Sequence, residues 1–210
     1  MTIVAIKTGA EGELKRIELS DGSLFSFKDC YLPAHAPDIA EGREVSDEEE
    51  AGFRFASACL RAERAALQLI ARAEQNSLGL QRKLEKRRYD SACVRAVIAR
   101  LAETGLLDNR RYARLWLETR IARQTTSPWR LLAALRSRGV DRQDAHEALR
   151  ELLDDDGELQ LLRRYAEKLE RKRAKRAARG GTAAEPPSLR YQLKSEGFSS
   201  LAIQRFFEEE

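Results

Sequence analysis

The stretch Leu131-Leu-Ala-Ala-Leu135, followed by Gly139-Val140-Asp141, has a pattern that the chain contains three times. The other two copies are Leu80-Gln-Arg-Lys-Leu84 with Arg88-Tyr89-Asp90 and Leu189-Arg-Tyr-Gln-Leu193 with Gly197-Phe198-Ser199. In each copy, leucines four residues apart share one face of a helix. A hydrophobic residue follows, and then an Asp or Ser of the kind that begins helices. The repeated unit is therefore predicted to be a short helix, a tight turn and a second helix.

The turn between the two helices favours glycine in two of the three copies. Gly139 and Gly197 stand just past the first helix, where a left-handed residue commonly ends a helix and glycine adopts that conformation without steric cost. The first copy has Arg88 at this position. Its turn is therefore predicted to be strained or built differently.

A longer helix precedes each helix pair. These helices are predicted over about residues 47–74, 109–123 and 158–179, and Ser46-Asp47-Glu48-Glu49 predicts a capping box at the start of the first. The fold class is accordingly an all-α body of three tandem three-helix repeats. Such repeats bury their apolar faces by stacking on one another, so we expect an elongated curved array.

The first thirty residues have a different pattern. Three short runs alternate apolar and polar side chains, and Asp21-Gly22, a typical hairpin dipeptide, lies between the second and third. They predict a small β-meander. The predicted division is 1–45 for this β-rich extension, 46–105 for repeat 1, 106–156 for repeat 2 and 157–210 for repeat 3.

Charge is distributed unevenly along the 210 residues, whose net charge is +4. Residues 1–50 carry −7, whereas the remaining 160 carry +11. A basic body fits a partner that bears phosphates or acidic patches. It also fits a highly charged, solvated helical surface, and charge alone leaves both interpretations open.

The densest cationic segment is the predicted helix that ends near residue 179. Its cations are too many for one helical face, and like charges four residues apart repel. We therefore expect the distal end to fray toward the linker unless phosphate or an acidic groove binds it, with steep salt dependence. The candidate partner-binding or nucleic-acid-binding residues here are Arg163, Arg164, Lys168, Arg171, Lys172, Arg173, Lys175, Arg176 and Arg179.

Further candidates lie near the centre of the chain. Arg110, Arg111 and Arg120 flank or follow the block Gly105-Leu-Leu-Asp108, whose aspartate is expected to cap a helix. The helical spacing of Trp116 predicts core packing. Trp129, a candidate together with Arg130, follows Pro128 at a helix start, where a buried and an exposed position are equally compatible with the sequence.

Catalytic chemistry has little support. His35 and His146 have no nucleophile or metal-ligand pattern around them, and Gly180-Gly181 lacks the rest of a phosphate-binding loop. The run Asp154-Asp155-Asp156 is interpreted as a helix cap, not a metal site. No enzyme activity, cofactor or metal is expected. The three cysteines are odd in number, widely spaced and set among apolar neighbours, so they are predicted to be reduced core or boundary thiols of a cytoplasmic protein. No secretion signal and no membrane span is expected.

The whole chain resembles the RecX family of bacterial recombination regulators. The most specific match is Gly105-Leu-Leu-Asp-Asn-Arg-Arg-Tyr-Ala113 with Arg120 behind it. The other matching stretches are 66–84, 127–140, 190–198, and the Asp-Gly hairpin with Gly42-Arg-Glu-Val-Ser46. The resemblance implies a monomer that lies along the helical filament of the RecA recombinase, with single-stranded DNA in the same complex. It implies inhibition of ATP hydrolysis, strand exchange and co-protease activity, and thus modulation of DNA repair, recombination and the SOS response, without a membrane or a small-molecule substrate.

A DNA-binding module of another class is the alternative. The helix pairs would then act as helix-turn-helix readers of duplex DNA without RecA. No clear group of Asn, Gln or Arg residues stands at the start of each second helix, where base contacts would be made. The requirement for RecA separates the two hypotheses.

Overall fold

The computed structural model describes residues 1–9, 13–33, 39–178 and 187–209. Over these residues the chain is mostly helical, with one small antiparallel sheet. It divides into two compact units, Met1–Asp108 and Asn109–Glu210.

The first unit begins with a three-stranded sheet. Its strands are β1 (Ile3–Thr8), β2 (Leu14–Leu19) and β3 (Leu24–Lys28), antiparallel in the order β1-β2-β3. Because successive side chains of a strand point to opposite faces, the core takes up alternate residues: Ile17 and Leu19 of β2 and Phe25 and Phe27 of β3 are buried, whereas Leu24 is exposed. The predicted meander is confirmed, including the turn at Asp21-Gly22.

Three helices complete this unit: α1 (Asp47–Ile70), α2 (Ser77–Lys86) and α3 (Ser91–Glu103). The capping box is confirmed, since the Glu49 amide donates to the Ser46 hydroxyl and the Ser46 amide donates to the Glu49 carboxylate. Phe53 of α1 stacks on Phe27 of the sheet with ring centroids 5.3 Å apart. The sheet and α1 therefore share one core.

The first helix ends earlier than predicted, at Ile70 and not near residue 74. The side-chain amide of Gln75 donates to the carbonyl oxygens of Leu69 and Ala73, so this side chain folds back over the end of the helix. Asn76 must then be extended, because its side chain accepts from the Gly79 amide and starts α2.

The second unit is entirely helical over its described residues. Its helices are α4 (Asn109–Arg123), α5 (Pro128–Ser137), α6 (Arg142–Leu152), α7 (Asp155–Ala177), α8 (Leu189–Glu196) and α9 (Ser200–Glu208). One apolar cluster joins α4, α5 and α6, and another joins α7, α8 and α9.

The start of α7 corrects one prediction. This helix begins at Asp155 and not near residue 158, because the Asp154 carboxylate accepts from the Gly157 amide at 2.8 Å and caps the helix there. The predicted capping role of the acidic run is thus confirmed. Arg179 and Gly180-Gly181, like His35, lie outside the described residues.

The three short-helix turns share one hydrogen-bond pattern. The amides of Tyr89, Val140 and Phe198 donate to the carbonyls of Leu84, Leu135 and Leu193 at 3.3, 3.2 and 3.3 Å. The residue before each amide is left-handed, with φ of 67° at Arg88, 81° at Gly139 and 100° at Gly197. Of the two possibilities predicted for the first turn, the strained one is confirmed, because the turn has the same hydrogen bond as the others with a left-handed Arg88 in place of glycine.

The cysteines form no disulfide. Cys59 and Cys93 are buried, and burial raises the pKa of both thiols, whereas Cys30 is exposed. The described residues contain no group of metal-ligating side chains and no helix long and apolar enough to cross a membrane.

Candidate binding site

One face of α7 carries a row of cations. Apart from one adjacent pair, Arg171 and Lys172, they are spaced three or four residues apart, which places them on the same side of the helix. With Thr125, which lies between α4 and α5, and with one carboxylate, Glu167, they line a cleft of about 440 Å³. The cations of this basic cleft are Arg164, Lys168, Arg171, Lys172 and Lys175. Its lining therefore has five positive charges and one negative charge.

Two hydrogen bonds fix the inner wall of the basic cleft. The Arg164 guanidinium donates to the backbone carbonyl of Ile121 at 3.3 Å, and the Lys168 ammonium donates to the Thr125 hydroxyl at 3.2 Å. Arg171 lies 3.4 Å from Glu167, one turn away. Lys172 and Lys175 are exposed along the outer part of the cleft. The row therefore presents ammonium groups to solvent in a concave setting, which focuses an attractive potential on anions.

The other predicted cations of this helix lie elsewhere. Arg163 pairs with Glu209, and the Arg173 guanidinium donates to the Pro187 carbonyl at 3.2 Å. Arg176 is exposed but does not line the cleft. The prediction that these cations do not share one face is confirmed.

Trp129 stands on the surface at the start of α5. Its side chain is 62% exposed, which decides between the two positions that the sequence left open. Beneath it, a Cβ atom added to Gly197 would lie 2.7 Å from the Trp129 Cβ. The neighbouring Arg130 guanidinium pairs with Glu196 at 2.9 Å. The base of the indole is thus packed tightly while its ring faces solvent.

A buried polar cluster holds this corner of the second unit. The Ser127 hydroxyl is fully buried and donates to the Glu196 carbonyl at 2.7 Å. The Tyr165 hydroxyl donates to the Glu196 carboxylate at 3.1 Å. Burial and the nearby carboxylate raise the pKa of Tyr165. Because Ser127 precedes α5 while Tyr165 and Glu196 belong to α7 and α8, the cluster fixes the mutual positions of these three helices.

The remaining candidates contribute mainly to packing. The ring of Trp116 packs against the apolar cluster of α4, α5 and α6, as predicted. The guanidiniums of Arg120 and Arg138 lie over it, 5.1 and 4.7 Å from its centroid. Arg110 pairs with Glu147 at 2.8 Å and with Glu151, which joins α4 to α6. Arg111 is half-buried on α4.

Sequence reasoning did not single out Thr125, Glu196 or the close approach of Gly197 to Trp129. A serine before a proline does signal a helix start, so the Ser127 cap was accessible from the sequence. The acceptor of its hydroxyl proton lies 69 residues away, and no local pattern indicates it.

Comparison with known proteins places the fold in a family. A family model described as RecX, second three-helix domain, matches residues 108–149, which include all of α4, all of α5 and most of α6. The regulatory protein RecX of Treponema pallidum (strain Nichols) is 37% identical over 164 residues, covering 78% of this chain and 94% of that protein. The chain belongs to the RecX family. The resemblance noted in the sequence is therefore confirmed.

Other RecX proteins extend the comparison. The regulatory protein RecX of Thermus thermophilus is 37% identical over 115 residues, covering 55% of this chain and 78% of that protein. A crystal structure of regulatory protein RecX superposes with a TM-score of 0.73 at 20% identity, covering 99% of this chain and 98% of that one. RecX from Lactobacillus salivarius gives 0.59 at 21% identity, covering 72% and 96%. The structural matches establish the RecX fold, and the sequence matches identify a RecX-family regulator.

Proposed function

We propose that this chain regulates a RecA recombinase by binding its filament on single-stranded DNA. Binding inhibits ATP hydrolysis, strand exchange and co-protease activity, and so modulates DNA repair, recombination and the SOS response. Membership of a family of regulatory proteins supports a regulatory role. The observation that carries the proposal is the basic cleft, a concave row of cations suited to an anionic partner.

The body is proposed to consist of three tandem repeats, α1–α3, α4–α6 and α7–α9. The three matching turns support this division, and so does a family model for a three-helix domain over residues 108–149. The boundaries 1–45, 46–105, 106–156 and 157–210 and the elongated curved array stay predictions.

The chain acts by binding and contributes no catalysis or cofactor of its own. We propose that it works on the RecA filament as a cytoplasmic monomer. Uncompensated like charges in the basic cleft repel one another. An anionic partner relieves that repulsion and releases the counterions that the cations hold. The free energy of binding is therefore largely electrostatic and weakens as salt is raised.

Fluorescence anisotropy of the labelled chain, titrated with RecA filaments assembled on single-stranded DNA, tests the proposal. The test variant replaces Lys168, Lys172 and Lys175 by Gln, and the control replaces three exposed cations of the first unit, Arg82, Lys86 and Arg95, by Gln. Both lose the same charge. We expect the wild type and the control to bind alike and the test variant to bind at least tenfold more weakly.

If the wild type leaves the filament unbound while it shifts naked duplex DNA, the filament proposal is wrong. The chain is then a direct DNA-binding module that acts without RecA.

A further inference from the structure

We infer that the basic cleft and Trp129 together form a binding site for single-stranded nucleic acid. The phosphates lie along the cations of α7, and one unpaired base stacks on the exposed indole. This inference rests on the proposed function and deepens it, because it names the component of the filament that the cleft contacts.

Trp129 lies close to the basic cleft along the chain. Thr125 lines the cleft, and its hydroxyl accepts from Lys168. Trp129 is four positions after Thr125, so their Cα atoms lie within about 14 Å even if the chain between them is fully extended. A strand seated in the cleft can therefore reach the indole with a neighbouring base.

Several contacts fix the turn of α5 that carries the Trp129 indole. Ser127 starts α5 by accepting from the Arg130 amide at 3.2 Å, while its hydroxyl is anchored on the Glu196 carbonyl. The ion pair of Arg130 with Glu196 and the close packing of the Trp129 Cβ on Gly197 hold the same turn from two further directions. A large apolar ring is thus kept 62% exposed on a rigid base. An aromatic side chain whose backbone and Cβ are fixed in advance loses less conformational entropy when a base stacks on it.

The lining of the cleft favours a phosphate backbone over an acidic peptide. All seven side chains that the structure places in the lining are charged or carry a hydroxyl, so the lining offers no wholly apolar side chain to the anchor residues of a peptide. From Arg164 to Lys175 the row extends about 16 Å along the helix axis. A linear polyanion fits such a row, because each cation meets a successive phosphate.

The exposed ring favours a single strand over a duplex. Bases of a duplex are stacked on one another, so an indole can cover a base face only where the strand is unpaired. Cations that follow the backbone and an aromatic platform for the bases are the combination found in proteins that bind single strands without sequence preference.

Binding of fluorescent oligothymidylate to the full chain, with no recombinase present, tests the inference. Trp129→Ala removes the platform and is expected to weaken binding about tenfold, the order found when one stacking ring is removed. It should leave the slope of log affinity against log salt unchanged. The variant with Lys168, Lys172 and Lys175 replaced by Gln should lower that slope by about 2, at about 0.7 per phosphate contact on a single strand. Affinity and salt slope should both stay unchanged in the control, in which Arg82, Lys86 and Arg95 are replaced by Gln.

Two further variants separate stacking from a loss of folding. Trp129→Phe keeps an aromatic ring and should restore most of the affinity that Trp129→Ala loses. In Trp116→Phe the remaining indole is Trp129, and its fluorescence should be quenched by the oligonucleotide. Unchanged affinity in Trp129→Ala, or an unchanged salt slope in the lysine variant, would overturn the inference.

The outcome also distinguishes this inference from the proposed function. If the chain binds RecA filaments but its oligothymidylate binding is unchanged in the Trp129 and lysine variants, only the inference is contradicted. A chain that binds oligothymidylate through both sites but does not bind filaments contradicts the proposed function.

Discussion

The hydroxyl of Ser127 donates a 2.7 Å hydrogen bond to the backbone carbonyl of Glu196, 69 residues further along the chain. The same hydroxyl accepts from the Arg130 amide at 3.2 Å and begins α5. One fully buried side chain therefore both caps a helix and ties it to the end of α8.

Ser127→Ala is expected to destabilise the second unit by about 2 kcal/mol, since it removes a cap and leaves a buried carbonyl without its donor. The control is Ser188→Ala, because the exposed Ser188 caps α8 by accepting from the Tyr191 amide of its own helix. This control should lower the free energy of unfolding by about 1 kcal/mol. Urea unfolding followed by tryptophan fluorescence measures this unit alone, because both tryptophans lie in it. Equal costs would show that the bond to Glu196 contributes nothing to stability.

Arg88→Gly is expected to stabilise the first unit by about 0.5–1 kcal/mol. Arg88 has φ of 67°, where a side chain is strained and glycine is not. The adjacent Arg87 has φ of −83°, so Arg87→Gly gains no relief of strain and should destabilise by a similar amount through the entropy of the unfolded chain. Urea unfolding followed by circular dichroism compares the two variants. A loss of stability in both would mean that the first turn carries no strain.

The second unit is expected to lose stability as the pH rises above about 10, the ordinary pKa of tyrosine. Burial and Glu196 raise the pKa of Tyr165, so the folded state holds its proton at a pH where the unfolded state has released it. The stabilisation that protonated Tyr165 contributes is complete below a pH of about 10, and it is lost as the pH rises through the higher pKa of Tyr165 in the folded state. Tyr165→Phe should flatten this alkaline dependence. Tyr191→Phe, at a side chain that is 64% exposed, should leave it as in the wild type; the opposite pattern would assign the effect to another group.

Local signals predicted most of the fold. The polar residue before each second helix, Asp90, Asp141 or Ser199, accepts from an amide of the first turn as expected. The end of α1 was predicted too late, because the fold-back of Gln75 depends on a side-chain conformation that apolar spacing does not encode.

The candidate site was predicted in part. The sequence identified the cations of α7 and Trp129 as candidates. It did not show that Thr125 closes a cleft over five of these cations, because that contact joins residues about forty positions apart. Nor did it show that Gly197 supports the indole, since tertiary packing alone brings the two together.

ATP hydrolysis by RecA assembled on single-stranded DNA, titrated with this chain, measures whether the chain regulates RecA filaments. We predict inhibition at substoichiometric amounts of the wild type and of the Arg82, Lys86 and Arg95 control. The variant with Lys168, Lys172 and Lys175 replaced by Gln should require at least tenfold more protein. Hydrolysis that continues unchanged at a large excess of the wild type would contradict the claim that the chain regulates RecA filaments.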